Sequence, residues 1–231
     1  LLESARTEGA TLAELLRREI PVLVIASGLR LLGVCTPPAL LSVARLAQFR
    51  KVEDPAFVRN IAAELVMAKV RNQRRVLQRL AANRAAERRA GETLELLGQL
   101  ADRASHVGVG AIDELRGIEG AAAQRYFAVL ARFFPPHAPM NGRSRQPPQD
   151  PPNAVLSYCY TILCGEMSCH VHAVGLDPAV GCYHEPADRR AALALDLIEP
   201  FRAPIADALA LDMFSHGQLD PLEHFEARDG G

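Results

Sequence analysis

Residues 112–133 read I-D-E-L-R-G-I-E-G-A-A-A-Q-R-Y-F-A-V-L-A-R-F, and their periodicity decides the fold class. At 100° per residue, Leu115, Ala122, Tyr126, Val129, Leu130 and Phe133 fall in one arc, the pattern of an amphipathic helix packed on a core. Glu119 falls inside that arc, framed by Gly117, Gly120, Ala121, Ala122 and Ala123. A helical glycine costs about 1 kcal/mol relative to alanine, so this run of small residues implies close approach by another group. A carboxylate on a core-facing arc is costly without a partner. Either a buried lysine or arginine pairs with Glu119, or a metal does.

On both sides of this stretch the helical period recurs. The spacing predicts helices over roughly 11–19, 39–50, 55–88, 92–104, 153–172 and 191–213. Only residues 21–25 and 29–34 read as strands, and Thr36-Pro37-Pro38 closes that piece like a linker. Two strands do not make a stable sheet alone. Residues 1–35 are therefore expected to be the truncated tail of an N-terminal β domain, and residues 36–231 an α-helical domain. The opening Leu1-Leu2-Glu3-Ser4 reads as that of an internal fragment. Between 135 and 152 lies a loop with seven prolines, after which Asp150-Pro151 makes a helix start, Asp as the cap and Pro in the first turn.

Composition agrees with a helical core. Of 231 residues, 49% are hydrophobic and 5% aromatic, with no Trp, while Ala, Leu and Arg abound; this excludes a disordered chain and disfavours a β-sandwich. No run of about 18 uncharged apolar residues is present, and no basic-then-apolar leader opens the chain. Cys159, Cys164 and Cys169 recur every five residues, a step that rotates about 140° on a helix. They read as small core residues of a reducing cytoplasm, with zinc as the alternative. The net charge of −1 hides a separation: residues 69–89 hold eight bases against one acid, or +7. Such a belt is either a solvated helix face or a phosphate-backbone contact.

The helix 191–213 repeats the anomaly of Glu119. Leu195, Ile198, Ile205, Leu209 and Met213 define its apolar arc, with Glu199 and Arg202 on or beside it. Asp196 lies three residues before Glu199, so both carboxylates can address one neighbourhood; alternatively Asp196 is surface charge and Glu199 pairs with Arg202. Pro200 and Pro204 each remove a backbone donor and predict a distortion. Just upstream, Gly181-Cys-Tyr-His184-Glu-Pro186 is a Gly- and Pro-bounded loop. One histidine with several carboxylates is a workable set for magnesium or manganese.

Taken together, five strings carry a resemblance: AKVRNQRRVL at 68–77, LRGIEGAAAQRYF at 115–127, GRSRQPPQDPPNAVLSYCYTIL at 142–163, AVGLDPAVGCYHEP at 173–186 and LALDLIEPFR at 193–202. In order and spacing the chain resembles the CRISPR-associated integrase/endonuclease family of the spacer-acquisition module, over most of residues 11–215. The resemblance implies an N-terminal β-sandwich joined to an α-helical catalytic domain. It implies a divalent ion, Mg2+ or Mn2+, held by Glu119, His184 and Glu199, with Asp196 as a further acidic group.

The activity implied is insertion of spacer precursor DNA at a CRISPR repeat by transesterification. The implied partners are DNA, a second copy in a homodimer and a small ferredoxin-like CRISPR-associated adaptation protein, with no membrane role. Arg71, Arg74, Arg75, Arg84 and Arg88 are the expected phosphate contacts. Lys69 and Gln73 lie on the apolar side of the same helix with Val66, Val70 and Leu77 and are expected to bond internally. Two rivals stand beside this reading: a transposon-borne integrase with the same chemistry, and a non-catalytic DNA-binding assembly subunit.

Overall fold

The stretch 112–133 is helical as its period demands: Ile112–Leu130 is α-helix and Ala131–Phe133 a closing 3-10 turn. Asp113 and Glu114 lie in its first turn, where carboxylates favour the positive end of the helix dipole. The computed structural model describes residues 6–26, 31–37, 42–83, 90–108, 111–145, 147–185, 187 and 190–226. In chain order its elements are α1 (Gly9–Arg17), β1 (Val22–Ile25), β2 (Leu31–Cys35), α2 (Ser42–Val52), α3 (Pro55–Asn83), α4 (Ala90–Ser105), α5 (Ile112–Leu130), α6 (Pro151–Ala173), α7 (Ala192–Phe201), α8 (Ala208–Ser215) and α9 (Pro221–His224). The fold is mainly α, with a two-stranded antiparallel sheet pairing Val22 with Cys35 and Leu23 with Val34. Among the described residues no helix is long and apolar enough to cross a membrane.

The chain divides into two units, Leu1–Val58 with Thr161–Ile198 and Arg59–Tyr160 with Glu199–Gly231. Both strands and α2 fall in the first of these units. In this first unit Gln48 of α2 fastens the 177–180 loop: its amide donates to the carbonyls of Asp177 at 2.9 Å and Val180 at 2.8 Å and accepts the N–H of Asp177 at 2.8 Å.

The second unit holds a large buried apolar cluster. Val66, Val70 and Leu77 of α3, Leu97 of α4, Leu115, Tyr126 and Leu130 of α5, Leu156 of α6 and Phe214 of α8 are all buried there. The α6 start is capped as its sequence predicts, the Asp150 carboxylate accepting the N–H of Asn153 at 2.8 Å.

One expectation fails in an informative way. The predicted helix 191–213 is interrupted by a π-helical turn, Arg202–Asp207. Pro204 has no N–H to give the Pro200 carbonyl four residues back; the side chain of Asn72 donates to that carbonyl instead, at 2.8 Å. Because a π turn closes over one more residue than an α turn, the positions that follow are displaced from an unbroken helical count. Ile205 and Leu209, assigned to the apolar arc, are 48% and 47% exposed, while Ala206, Asp207 and Ala210 are buried.

Candidate functional site

In the second unit two carboxylates share one ammonium. Lys69, 6% exposed on α3, pairs with Oε1 of Glu119 on α5 and lies 2.6 Å from Oε2 of Glu199 on α7. Glu199 is 4% exposed, and its other oxygen lies 3.1 Å from Nη2 of Arg202, three residues on. Charges this deep persist only when paired. Of the two sequence readings for Glu119, the side chains adopt the buried-lysine pair, and Glu199 adopts the pair with Arg202. Lys69 bonds internally, as its place on the apolar side of α3 implies.

Around Arg202 lies a polar network that the sequence reading passed over. Its guanidinium sits over the ring of Tyr160, 4.7 Å from the centroid, and that of Arg143 sits over the same ring at 5.4 Å. The Tyr160 hydroxyl donates to Asp207 at 2.5 Å, and the Tyr126 hydroxyl donates to the other Asp207 oxygen at 2.9 Å. The π turn thus begins and ends on residues that grip one aromatic ring. Burial raises the Asp207 carboxyl to about 6 against the pull of both hydroxyls and both arginines, and burial beside Asp207 raises both tyrosines well above the ordinary phenol. Arg143 is held in turn by Asn153 at 2.9 Å and Ser157 at 3.1 Å. Two prolines four residues apart were the available signal.

In the first unit Asp196 is fully buried and accepts four hydrogen bonds from the 182–184 loop. One oxygen takes the N–H groups of Cys182 at 2.6 Å and Tyr183 at 2.9 Å; the other takes the N–H of His184 at 2.8 Å and its Nδ1 at 2.7 Å. Gly181 is required by packing: a Cβ there would meet Asp196 Oδ2 at 2.7 Å and the Ala192 backbone at 2.8 Å. Asp196 is thus not surface charge. It positions His184, and with Nδ1 bound to a carboxylate a metal-ligating role falls to Nε2. The Cys182 thiol, buried beside Asp196, is pushed up to about 11, the opposite of an activated thiolate.

The expected DNA-contacting arginines separate by environment. Arg71 is exposed, 3.7 Å from Asp102, and Arg75 is exposed. Arg74 is half-buried: its Nε donates to the Leu94 carbonyl at 2.8 Å and its side chain packs over Gly98, so it ties α3 to α4. Arg84 and Arg88 lie outside the described residues.

Among the described residues no group of three or more His, Cys, Asp or Glu side chains able to hold a metal is assembled, which also leaves the zinc alternative for the cysteines without support. The donor chemistry of the second unit nevertheless fits a hard divalent ion, since two carboxylates from different helices already share a single cation in a buried place.

The whole chain, residues 1–231, matches the family model described as CRISPR associated protein Cas1. It is 39% identical over 224 residues to a Cas4/Cas1 fusion of Rhodospirillum rubrum, covering 94% of this chain and 38% of the relative. It is 41% identical over 198 residues to an endonuclease Cas1 of the same organism, covering 81% and 56%. It is 30% identical to an endonuclease Cas1 of Thermodesulfovibrio yellowstonii, covering 100% and 72%. The chain thus spans about half the length of the first relatives it matches. Among solved structures, a partial Cas6-RT-Cas1–Cas2 complex superposes with TM-score 0.78 at 27% identity, over 97% of this chain and 67% of that one. A casposase bound to integration product superposes with TM-score 0.77 at 24% identity, over 94% and 60%, a likeness of fold.

Proposed function

Because this chain belongs to the CRISPR-associated Cas1 family, we propose that it carries the catalytic residues of a divalent-metal-dependent DNA integrase and endonuclease of CRISPR adaptation. The observation that carries the reading is the convergence of Glu119 and Glu199 on one buried positive charge. An inert scaffold has no use for two carboxylates facing one another in a core, each needing compensation.

Glu119 and Glu199 would hold Mg2+ or Mn2+, and by the family resemblance His184 joins them through Nε2. Such an ion supplies Lewis acidity to the phosphodiester and stabilises charge on the leaving oxygen. The chain's own residues prepare for this. Lys69 compensates the carboxylates, Arg202 orients Glu199, and Asp196 fixes the ring of His184 so that its tautomer is set before substrate arrives.

In the reaction a 3′-hydroxyl of the incoming DNA attacks a phosphodiester at a repeat edge. One P–O bond forms as another breaks, and the 3′-oxygen of the repeat strand leaves with a proton. The number of phosphodiesters is unchanged, so no nucleotide cofactor is needed. Arg71, Arg75 and Arg79 on the exposed side of α3 would contact the backbone. We propose a homodimer working with a small ferredoxin-like partner; the likeness to a partial Cas6-RT-Cas1–Cas2 complex supports an assembly partner.

The test is integration of a 3′-hydroxyl duplex into a repeat-bearing plasmid, with the partner protein and manganese. Glu119→Ala, Glu199→Ala and His184→Ala should each abolish product while leaving DNA binding intact. Product from Glu119→Ala would overturn the reading.

A further inference from the structure

We propose that Gln73 is a positioning residue for the metal centre, acting through one buried water that holds Arg202 against Glu199. The inference rests on reading Glu199 as a metal ligand. Gln73, Arg143, Arg202 and Glu199 line one cavity of about 10 Å³ in the second unit. Three buried polar atoms of these residues have no hydrogen-bond partner: Oε1 of Gln73, Nε of Arg143 and Nε of Arg202. Gln73 itself is 3% exposed.

The size and the chemistry select the occupant. A volume near 10 Å³ admits about one water and nothing larger, so a phosphate group is excluded. A lone anion is disfavoured too, because it would leave the buried carbonyl of Gln73, which lines the cavity, without a donor. The occupant must accept two hydrogen bonds and donate at least one. Water does both and satisfies three groups that would otherwise each cost about 1–3 kcal/mol.

The consequence for Glu199 follows from the helix that carries Gln73. Lys69 and Gln73 are four residues apart on α3 and share one face. Lys69 addresses Glu199 Oε2 at 2.6 Å, while Arg202 addresses Oε1 at 3.1 Å. With the water in place, α3 governs both oxygens of the carboxylate, one directly and one by way of Arg202. Tyr160 limits the guanidinium on its flat side; the water fixes it along its edge.

The experiment compares wild type, Gln73→Met and Gln73→Glu. Gln73→Met keeps the volume and removes the acceptor, whereas Gln73→Glu keeps an acceptor oxygen. A crystal structure that resolves ordered water should show one density bonded to Arg143 Nε, Arg202 Nε and residue 73 in wild type and Gln73→Glu, and not in Gln73→Met. Manganese affinity, measured calorimetrically on protein without DNA, should fall about tenfold in Gln73→Met and return in Gln73→Glu, the scale of losing a partner that orients a ligand.

Absence of the density in wild type, or unchanged affinity in Gln73→Met, overturns the proposal. If Gln73→Met does not fold, the wild-type density and the Gln73→Glu affinity still decide it. A Glu199→Gln control separates the two readings: full affinity there overturns Glu199 as a ligand and with it the positioning role, while the density independently judges the water.

Discussion

One oxygen of Asp196 takes both the backbone N–H of His184 at 2.8 Å and its ring Nδ1 at 2.7 Å. A carboxylate only accepts, so the Nδ1 that faces it carries the proton. Main chain and ring of the same residue are therefore fixed from a single atom.

Removing that anchor should be costly. Asp196→Ala leaves buried N–H groups of the 182–184 loop without an acceptor, and an expected loss of roughly 3–5 kcal/mol follows. Gly181→Ala should lose about 1–3 kcal/mol by overpacking against the same carboxylate. Urea denaturation of both variants checks this; a wild-type midpoint for Gly181→Ala would refute the close approach.

Lys69→Met removes the cation common to Glu119 and Glu199. In chelator the variant should be less stable than wild type by about 3–5 kcal/mol, the cost of an unpaired buried charge. Manganese should narrow the gap, because an ion that binds only the folded state stabilises it. Thermal unfolding with and without the metal measures both effects. A gap that manganese leaves unchanged would show that the carboxylate pair does not take an ion.

Asp207 gives the protein a pH dependence of unusual sign for a carboxylate. Its folded-state value of about 6 lies above the ordinary 3.8, so the folded state binds the proton more tightly than the unfolded chain. The stabilisation is complete below pH 4 and is lost as pH rises through 6, with a ceiling of roughly 3 kcal/mol. Asp207→Asn cannot titrate. The stability difference between wild type and variant, from urea midpoints at intervals between pH 4 and 8, should move in favour of wild type on acidification. A constant difference would contradict the burial-driven shift.

Asn72 supplies the donor that Pro204 cannot, at 2.8 Å to the Pro200 carbonyl. Asn72→Leu should destabilise by about 1–2 kcal/mol and leave DNA affinity unaltered. Differential scanning calorimetry provides the first reading and fluorescence anisotropy the second.

The arginines of α3 should divide by environment. Arg75→Glu with Arg79→Glu should weaken DNA binding for all sequences and reduce the slope of log affinity against log salt. Arg74→Ala should lower stability instead, since its guanidinium serves the Leu94 carbonyl. An unchanged slope in the double variant returns this face to plain solvation.

Periodicity sufficed for most of the helices because each has an apolar side of its own, and a charged residue on such a face stood out at Glu119 and Glu199. What it could not supply is which partner a buried charge chooses. Lys69 lies 50 residues from Glu119 in sequence, and no local pattern couples them. The Asp207 network escaped for a different reason: the two prolines signalled a distortion but not its form, and the one-residue shift of a π turn carried Ile205 outward and Asp207 inward. Asp196 was legible as a carboxylate near the His184 loop, but its task was set by backbone N–H groups, which carry no sequence signature.

The wide turn at Arg202–Asp207 also bears on how this chain is aligned with its relatives. It absorbs one residue more than a straight helix needs and so shifts by one position which residues after it are buried. A relative whose helix runs unbroken must be aligned with a one-residue gap, and the gap belongs inside 202–207. Placed upstream, it would slide Arg202 and Glu199 off their counterparts; placed downstream, it would match the exposed Leu209 to a core position. Loss of a single residue within 202–207 is expected to convert the π turn to regular α-helix and to leave α8 in place.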